Sequence, residues 1–239
     1  MRILSYNIHK GIGGRDRLYR LERIIEVIAV ESPDVICLQE VDRNVKRSGF
    51  DDQPRLLAER FSAVGTAFQF NHKVKEGGYG NLVLTRWPMH ESHQISLKVG
   101  LRKNRGAQVV FVETPEGRLR VVNWHLGLAE HERHRQVHQV LEHDLHKSRS
   151  GLPTIMIGDT NDWRNTLGHG PFAEHGLRQV TSPTSHFRSF PAMFAIAALD
   201  KAFASSGIEV EHAKIVQSSL ARQASDHLPL IVDFHLKRT

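Results

Sequence analysis

The sequence predicts an α/β protein in which two mixed, mostly antiparallel β-sheets pack face to face with helices outside. Three observations carry this. The chain opens strand, helix, strand: the apolar run from Ile3 to Ile8 precedes Leu18, Leu21, Ile24, Ile25 and Ile28 at helical spacing, and Val35 to Leu38 follows. Strand-like runs then outnumber helical ones through the rest of the chain. Apolar runs also end repeatedly on polar groups, above all Thr154-Ile155-Met156-Ile157-Gly158-Asp159-Thr160-Asn161-Asp162. Asn7, Gln39 with Glu40, His125 and Asp226-His227 stand at the ends of other such runs. Polar groups delivered by several strands to one rim form an active-site layout.

Taken in order, the first strand leads into His9-Lys10-Gly11-Ile12-Gly13-Gly14, whose glycines turn the chain but match neither the P-loop nor the dinucleotide spacing. The first helix then runs from Leu18 to Ile28, and Ser32-Pro33 ends it before the strand Asp34 to Leu38. A shorter helix is expected from about Pro54 to Phe61. Strands follow at Phe68 to Phe70, Asn81 to Thr85, Gln94 to Leu97, Ala107 to Glu113 and Leu119 to Trp124, with Pro115-Glu116-Gly117 as a hairpin turn. Val137, Val140, Leu141 and Leu145 mark an amphipathic helix from about Glu130 to His146. After the opening motif the chain reads as a loop from Trp163 to Gln179, and strands at Ile208 to Val216 and Leu228 to Leu236 close it. One domain over residues 1–239 is expected, because nothing reads as a linker.

A hydrophobic share of 40% with 24% charged residues excludes disordered and fibrous classes. No apolar run approaches the roughly 18 residues of a membrane span, and the N-terminus enters a strand without a signal-like apolar segment, so a cytoplasmic protein is expected. The single cysteine, Cys37, lies inside Val35-Ile36-Cys37-Leu38, excludes an intrachain disulfide and reads as a core residue. A formal charge of +6 suits an anionic substrate. The densest basic stretch, Lys98 to Arg105, reads as a solvated hairpin loop in preference to a polyanion contact. His131, His134 and His138 line one helix. His131-Glu132-Arg133-His134 spaces its histidines one residue short of the zinc-protease pattern, which favours a solvated face.

Asn7, Glu40, His125, Asp159, Asn161, Asp200, Asp226 and His227 are carboxylates, amides and imidazoles. They suit a hard cation: Mg²⁺ takes one or two carboxylates and keeps waters, leaving room for a phosphate oxygen. Hydrolysis of a phosphoester needs a Lewis acid, a group to handle the water, donors for the growing charge and stabilisation of the leaving group, and this set supplies all four.

Seven ordered motifs make the reading specific: Ser5-Tyr6-Asn7-Ile8, Leu38-Gln39-Glu40-Val41, Tyr79-Gly80-Asn81, Asn123-Trp124-His125-Leu126, Ile157-Gly158-Asp159-Thr160-Asn161, Leu199-Asp200 and Ser225-Asp226-His227-Leu228-Pro229. From about residue 2 to 236 the chain resembles the endonuclease/exonuclease/phosphatase superfamily, which groups deoxyribonuclease I, repair nucleases, inositol polyphosphate phosphatases and bacterial sphingomyelinases. The resemblance implies a deoxyribonuclease I-like, four-layered sandwich with the site at one end of the two sheets. It also implies a cofactor, Mg²⁺ with Mn²⁺ as a substitute. Glu40 then matches the main metal ligand, with Asn7 beside it and Asp226 near the metal. Asp159 resembles the residue that orients or deprotonates the attacking water, and Asn161 a donor to the phosphoryl oxygens. Asp200 and His227 resemble a carboxylate–imidazole pair against the scissile phosphate, and His125 a histidine facing it. Asn81 matches a wall of the site. Arg188, in the aromatic segment His186 to Phe194, is a candidate phosphate contact.

The chain departs from the repair nucleases where Ile8 is followed by His9 and not by an acid. The expected function is a Mg²⁺-dependent phosphodiesterase or phosphatase on a lipid-linked or small phosphorylated substrate. A nonspecific nuclease acting on DNA or RNA is the second reading, and a binding module that keeps the fold without turnover the third.

Overall fold

The computed structural model describes residues 1–75, 77–149 and 151–237. The strands among them are β1 (Arg2–Asn7), β2 (Val35–Arg43), β3 (Gly65–Val74), β4 (Gly77–Thr85), β5 (Met89–Ser96), β6 (Gly106–Thr114), β7 (Gly117–His125), β8 (Thr154–Asp159), β9 (Leu177–Gln179), β10 (Asp200–Ser205), β11 (Ile208–Ile215) and β12 (Leu230–Leu236). The helices are α1 (Leu21–Glu31), α2 (Gln53–Arg60), α3 (Glu130–Leu141), α4 (Asp144–Lys147), α5 (Pro171–Glu174) and α6 (Ser219–Ala224). Two six-stranded sheets result, in the orders β11-β12-β1-β2-β4-β3 and β5-β6-β7-β8-β10-β9. Each contains one parallel pair, β1 with β2 and β7 with β8, among antiparallel neighbours.

Alternation along the strands explains the layering. Ile155 and Ile157 of β8 join Val121 of β7 and Ala202 and Ala204 of β10 in the apolar cluster shared with the first sheet. Met156, Val122, Trp124 and Phe203, one residue out of phase, pack instead with Val137, Val140 and Leu141 of α3 and Phe172 of α5. The second sheet is therefore apolar on both faces, one turned to the first sheet and one to helices. With α1 and α6 packed together against the first sheet's cluster, the order is helix, sheet, sheet, helix. Cys37 is fully buried in this core.

The first helix begins three residues later than the periodicity suggests, because Leu18 belongs to the preceding turn, where its carbonyl accepts from the Gly13 N–H. It ends where expected: Ser32 adopts the left-handed conformation at φ 47° and donates its N–H to the Ile28 and Ala29 carbonyls, and Pro33 prevents another turn. Asp52 caps α2 by accepting from the Arg55 N–H. The helix expected over Glu130 to His146 is two helices, with the His143 ring starting the second by accepting from the Leu145 N–H. The loop expected from Trp163 to Gln179 contains α5 and β9, and α6 was not anticipated. All three are too short for periodicity to register.

Near one end of the sandwich the space between the sheets becomes polar. Gln39 of β2 donates to the Asn123 side-chain oxygen of β7 at 2.8 Å, and Asn123 in turn donates to the Leu38 and Leu82 carbonyls of the first sheet. Asn81 donates to the Gly106 carbonyl, and Gln108 to that of Ala67. Buried amides paired across the sheets fix their relative register, since a slip would leave each donor unsatisfied at about 1–3 kcal/mol. The candidate site stands at this end.

Candidate active site

Strand register assembles the polar residues before any side chain is considered. At the ends of the parallel pairs, Asn7 sits opposite Gln39, and His125 opposite Asp159. Asp159 is also opposite Asp200 of β10. Glu40 lies in an irregularity of β2 between Leu38 and Val41, where its φ of 56° turns the backbone out of the ladder. His9, Lys10 and Asn161 also have positive φ, so four residues of the cleft hold a conformation that ordinary side chains disfavour.

The resulting cleft is lined by Asn7, His9, Lys10, Glu40, Lys103, Arg105, His125, Leu128, Asp159, Asn161, Asp226 and His227. Asp159 is its hub. One carboxylate oxygen accepts from the Asn161 backbone N–H at 2.9 Å. The other accepts from the Asn7 side chain at 3.0 Å and lies 3.4 Å from the His125 ring and 3.6 Å from that of His227. Asp200, fully buried behind the cleft, is 2.9 Å from Nδ1 of His227 and sets that ring's orientation. Ser225 ties the loop carrying Asp226 and His227 to β1 by donating to the Asn7 carbonyl at 2.7 Å.

The electrostatics separate the groups. Burial raises the Asp159 pKa to about 6, against the opposing pull of His227. Burial also disfavours charge on His227, but Asp200 and Asp159 outweigh it and raise its pKa to about 10, so the ring is imidazolium at neutral pH. His125 goes the other way: burial and Arg105 push it well below the usual value, and the ring is neutral. Burial pushes Glu40 up, yet the ammonium of Lys10 in contact with it holds it well below the ordinary carboxylate range. The cleft therefore contains a fixed anion, a base near neutrality, a fixed cation and a neutral imidazole.

Of the residues singled out in the sequence, Asn7, Glu40, His125, Asp159, Asn161, Asp226 and His227 come together, with Asp200 behind them. Two do not join them. Asn81 spends its amide on Asn71 and the Gly106 carbonyl, so it braces the seam between the sheets and does not line the cleft. Arg188 is exposed and lines a separate depression with Trp163, Ile196 and Lys201. Asp162 serves its loop, accepting from the Thr166 and Leu167 N–H groups and from the buried ammonium of Lys201. His131 and His138 face solvent, and His134 lies 3.3 Å from the Thr166 hydroxyl.

The sequence reading missed the cations. Lys103 and Arg105, placed there in a solvated loop, line the cleft, and Arg105 is only 6% exposed. The density of the Lys98 to Arg105 stretch was the available signal. Lys10 was hidden in the glycine turn, where only its place three residues after Asn7 distinguished it. With His227 these cations face the space beside Asp159, an arrangement that favours a bound anion. Arg105→Gln is expected to raise KM for an anionic substrate about tenfold and to flatten its dependence on salt, a loss of roughly 1.4 kcal/mol. An unchanged KM and salt profile would mean that Arg105 only packs.

The family profile described as Endonuclease/Exonuclease/phosphatase matches residues 4–227. The chain belongs to this family. Its members are generally divalent-metal-dependent hydrolases of phosphoester bonds. Among its relatives is YbhP of Escherichia coli K12, 28% identical over 245 residues that cover 98% of this chain and 96% of that one. An endonuclease/exonuclease/phosphatase from Beutenbergia cavernae superposes with a TM-score of 0.80 at 24% identity, over 99% of this chain and 71% of its own. The human Nocturnin catalytic domain with a bound sulfate anion gives 0.76 at 23%, over 99% and 93%. These likenesses confirm the fold expected for the family: a four-layered α/β sandwich.

The donor set fits the family's metal. Glu40 is ionised, and the Asn7 amide and the Asp226 carboxylate line the same cleft, giving the hard oxygen donors that Mg²⁺ prefers. With so few protein donors, such a cation would keep part of its water. Such an ion would take Glu40 from Lys10.

Proposed function

We propose that this protein is a Mg²⁺-dependent hydrolase of phosphoester bonds acting on a lipid-linked or small phosphorylated substrate. The observation that carries the reading is Asp159, a buried carboxylate with a pKa near 6, bounded by Asn7, His125 and His227 and facing the Glu40 side of the cleft.

Asp159 orients the attacking water and takes its proton, which its raised pKa suits at neutral pH. Asn7 and the Asn161 N–H hold the carboxylate still. The imidazolium of His227, fixed by Asp200, donates to a phosphoryl oxygen and so opposes the charge that builds up as the new P–O bond forms. Asn161, whose amide is oriented by a 3.0 Å bond to the Leu126 carbonyl, directs its remaining N–H to the same oxygens. His125, neutral, and Lys103 and Arg105 complete the donor wall. Glu40 and Asn7, with Asp226 nearby, would hold Mg²⁺, which when bound would supply Lewis-acid polarisation of the phosphate.

The test is a substrate panel: purified protein with Mg²⁺ and, separately, bis(p-nitrophenyl) phosphate, phospholipid, plasmid DNA and RNA. Hydrolysis of the first two is expected, and EDTA abolishes it. Cleavage of DNA or RNA with no action on phospholipid would replace this reading by the nuclease. Inactivity on all four would leave a binding module.

A further inference from the structure

Beside the catalytic cleft lies a cavity of about 490 Å³ lined by Gly14, Arg15, Pro191, Ala192, Met193, Phe194, Arg222, Ser225 and Asp226. Asp226 lines both, so the two spaces adjoin at that residue. The outer wall is a short hairpin, closed by the bridge between Phe190 and Ala197 and turning through Ala195 at a φ of 45°. Its tip presents Phe194, Ile196 and Met193 to solvent, with Phe194 76% exposed. Apolar side chains at a hairpin tip contribute nothing to a core, and here they border an active site.

The hairpin is held rigidly to the catalytic loop. The Ala192 N–H donates to the Asp226 carbonyl at 2.7 Å, and Arg222 of α6 donates to the carbonyls of Ala192 and Met193. Phe190, at the hairpin's base, packs its ring 4.8 Å from that of His227. These bonds also decide what the cavity can recognise. The Ala192 N–H and the Ala192 and Met193 carbonyls are consumed within the protein. The Phe194 and Ala195 N–H groups return to the Pro191 carbonyl, and the Ser225 hydroxyl donates to Asn7. A nucleobase has hydrogen-bonding edges that need several partners, and most of the hairpin's backbone groups facing the cavity are already bonded within the protein. A hydrocarbon needs none. The volume falls within the range of small-molecule sites.

We propose that this cavity receives the hydrocarbon portion of an amphiphilic phosphoester while the phosphate lies over Asp159 and His227. The site thus binds the two halves of its substrate in adjoining polar and apolar compartments. The inference rests on the proposed phosphoester chemistry for the placement of the phosphate, but its test does not require turnover.

Alkylphosphonates from methyl to octyl are non-hydrolysable, and their binding to the full chain in Mg²⁺ is measured by calorimetry. Affinity is expected to rise about fourfold for each added methylene until the cavity is filled, the ratio that corresponds to roughly 0.8 kcal/mol per buried methylene. Phe194→Ser and Met193→Ser, both at exposed positions that the fold tolerates, should each flatten that dependence. Val64→Ser, at an exposed apolar residue beside the far end of the first sheet, should not. Octylphosphonate binding no tighter than methylphosphonate, or a chain-length gain that survives both hairpin substitutions, would overturn the proposal. So would displacement of octylphosphonate by a short single-stranded oligonucleotide in a manner dependent on Phe194, which would assign the cavity to a base. If phosphoester turnover is absent while the chain-length dependence holds, the catalytic reading fails and the cavity assignment stands.

Discussion

Asp159→Asn is expected to lower kcat on a phosphodiester by about 10²- to 10⁴-fold while leaving the fold intact. The substitution keeps the shape and the capacity to accept from the Asn161 N–H, but removes the charge and the basicity. Asp159 sits at the strand end where β7, β8 and β10 register His125, Asp159 and Asp200 side by side. Circular dichroism and the thermal midpoint should match the parent, since the buried carboxylate is costly to ionise in the native protein. Near-parental kcat would remove Asp159 from the water-handling role and leave it as a brace for the two histidines.

Lys201→Met should destabilise the protein by about 3 kcal/mol in urea titration, because it strips the nearer cation from a buried carboxylate and leaves only Arg133, at 3.5 Å. The Lys201 ammonium and the Asp162 side chain are both inaccessible to solvent and 3.1 Å apart, and the ammonium also donates to the Asp162 carbonyl at 2.7 Å. The pH dependence has a definite sign. Burial pushes the Asp162 pKa up, but Lys201 and the Leu167 and Thr166 N–H groups more than offset it, leaving it below the ordinary value. A carboxylate depressed in the folded state contributes stability above its unfolded pKa and loses it as pH falls through the lower native value. The stability gap between parent and Lys201→Met should therefore narrow in acid, below about pH 4. A loss under about 1 kcal/mol at neutral pH, or a gap that widens in acid, would show that the pair is not what fixes the loop after β8. Asp162→Asn together with Lys201→Met should recover part of the loss.

How far the sequence was legible follows from what each feature depends on. The hub of the cleft was readable because Asp159, Asn7 and His125 end apolar runs, and a strand end is where a sheet exposes side chains. Both faces of β8 are apolar, so the run Ile155-Met156-Ile157 announced a buried strand without revealing which residue faced which layer. Register was not readable, and register is what pairs Asp159 with Asp200 across β8 and β10. Asn81 was misjudged for a related reason: an amide on the inner face of a strand can turn to a cleft or to the facing sheet, and only the position of the Gly106 carbonyl decides. Lys103 and Arg105 stand on a connection whose course no periodicity predicts, so their charge was visible and their destination was not. The apolar hairpin from Phe190 to Ala197 was noticed as aromatic sequence, but its closure over Asp226 depends on Arg222, some thirty residues away.

The most direct test of phosphoester hydrolysis at this site is the rate of p-nitrophenolate release from bis(p-nitrophenyl) phosphate by the parent protein in Mg²⁺, with Asp159→Asn at the same concentration alongside. Release that requires Mg²⁺ and falls by at least two orders of magnitude in the variant is the predicted result. Release that is equal in the two proteins, or absent from the parent while the fold is intact, would contradict it.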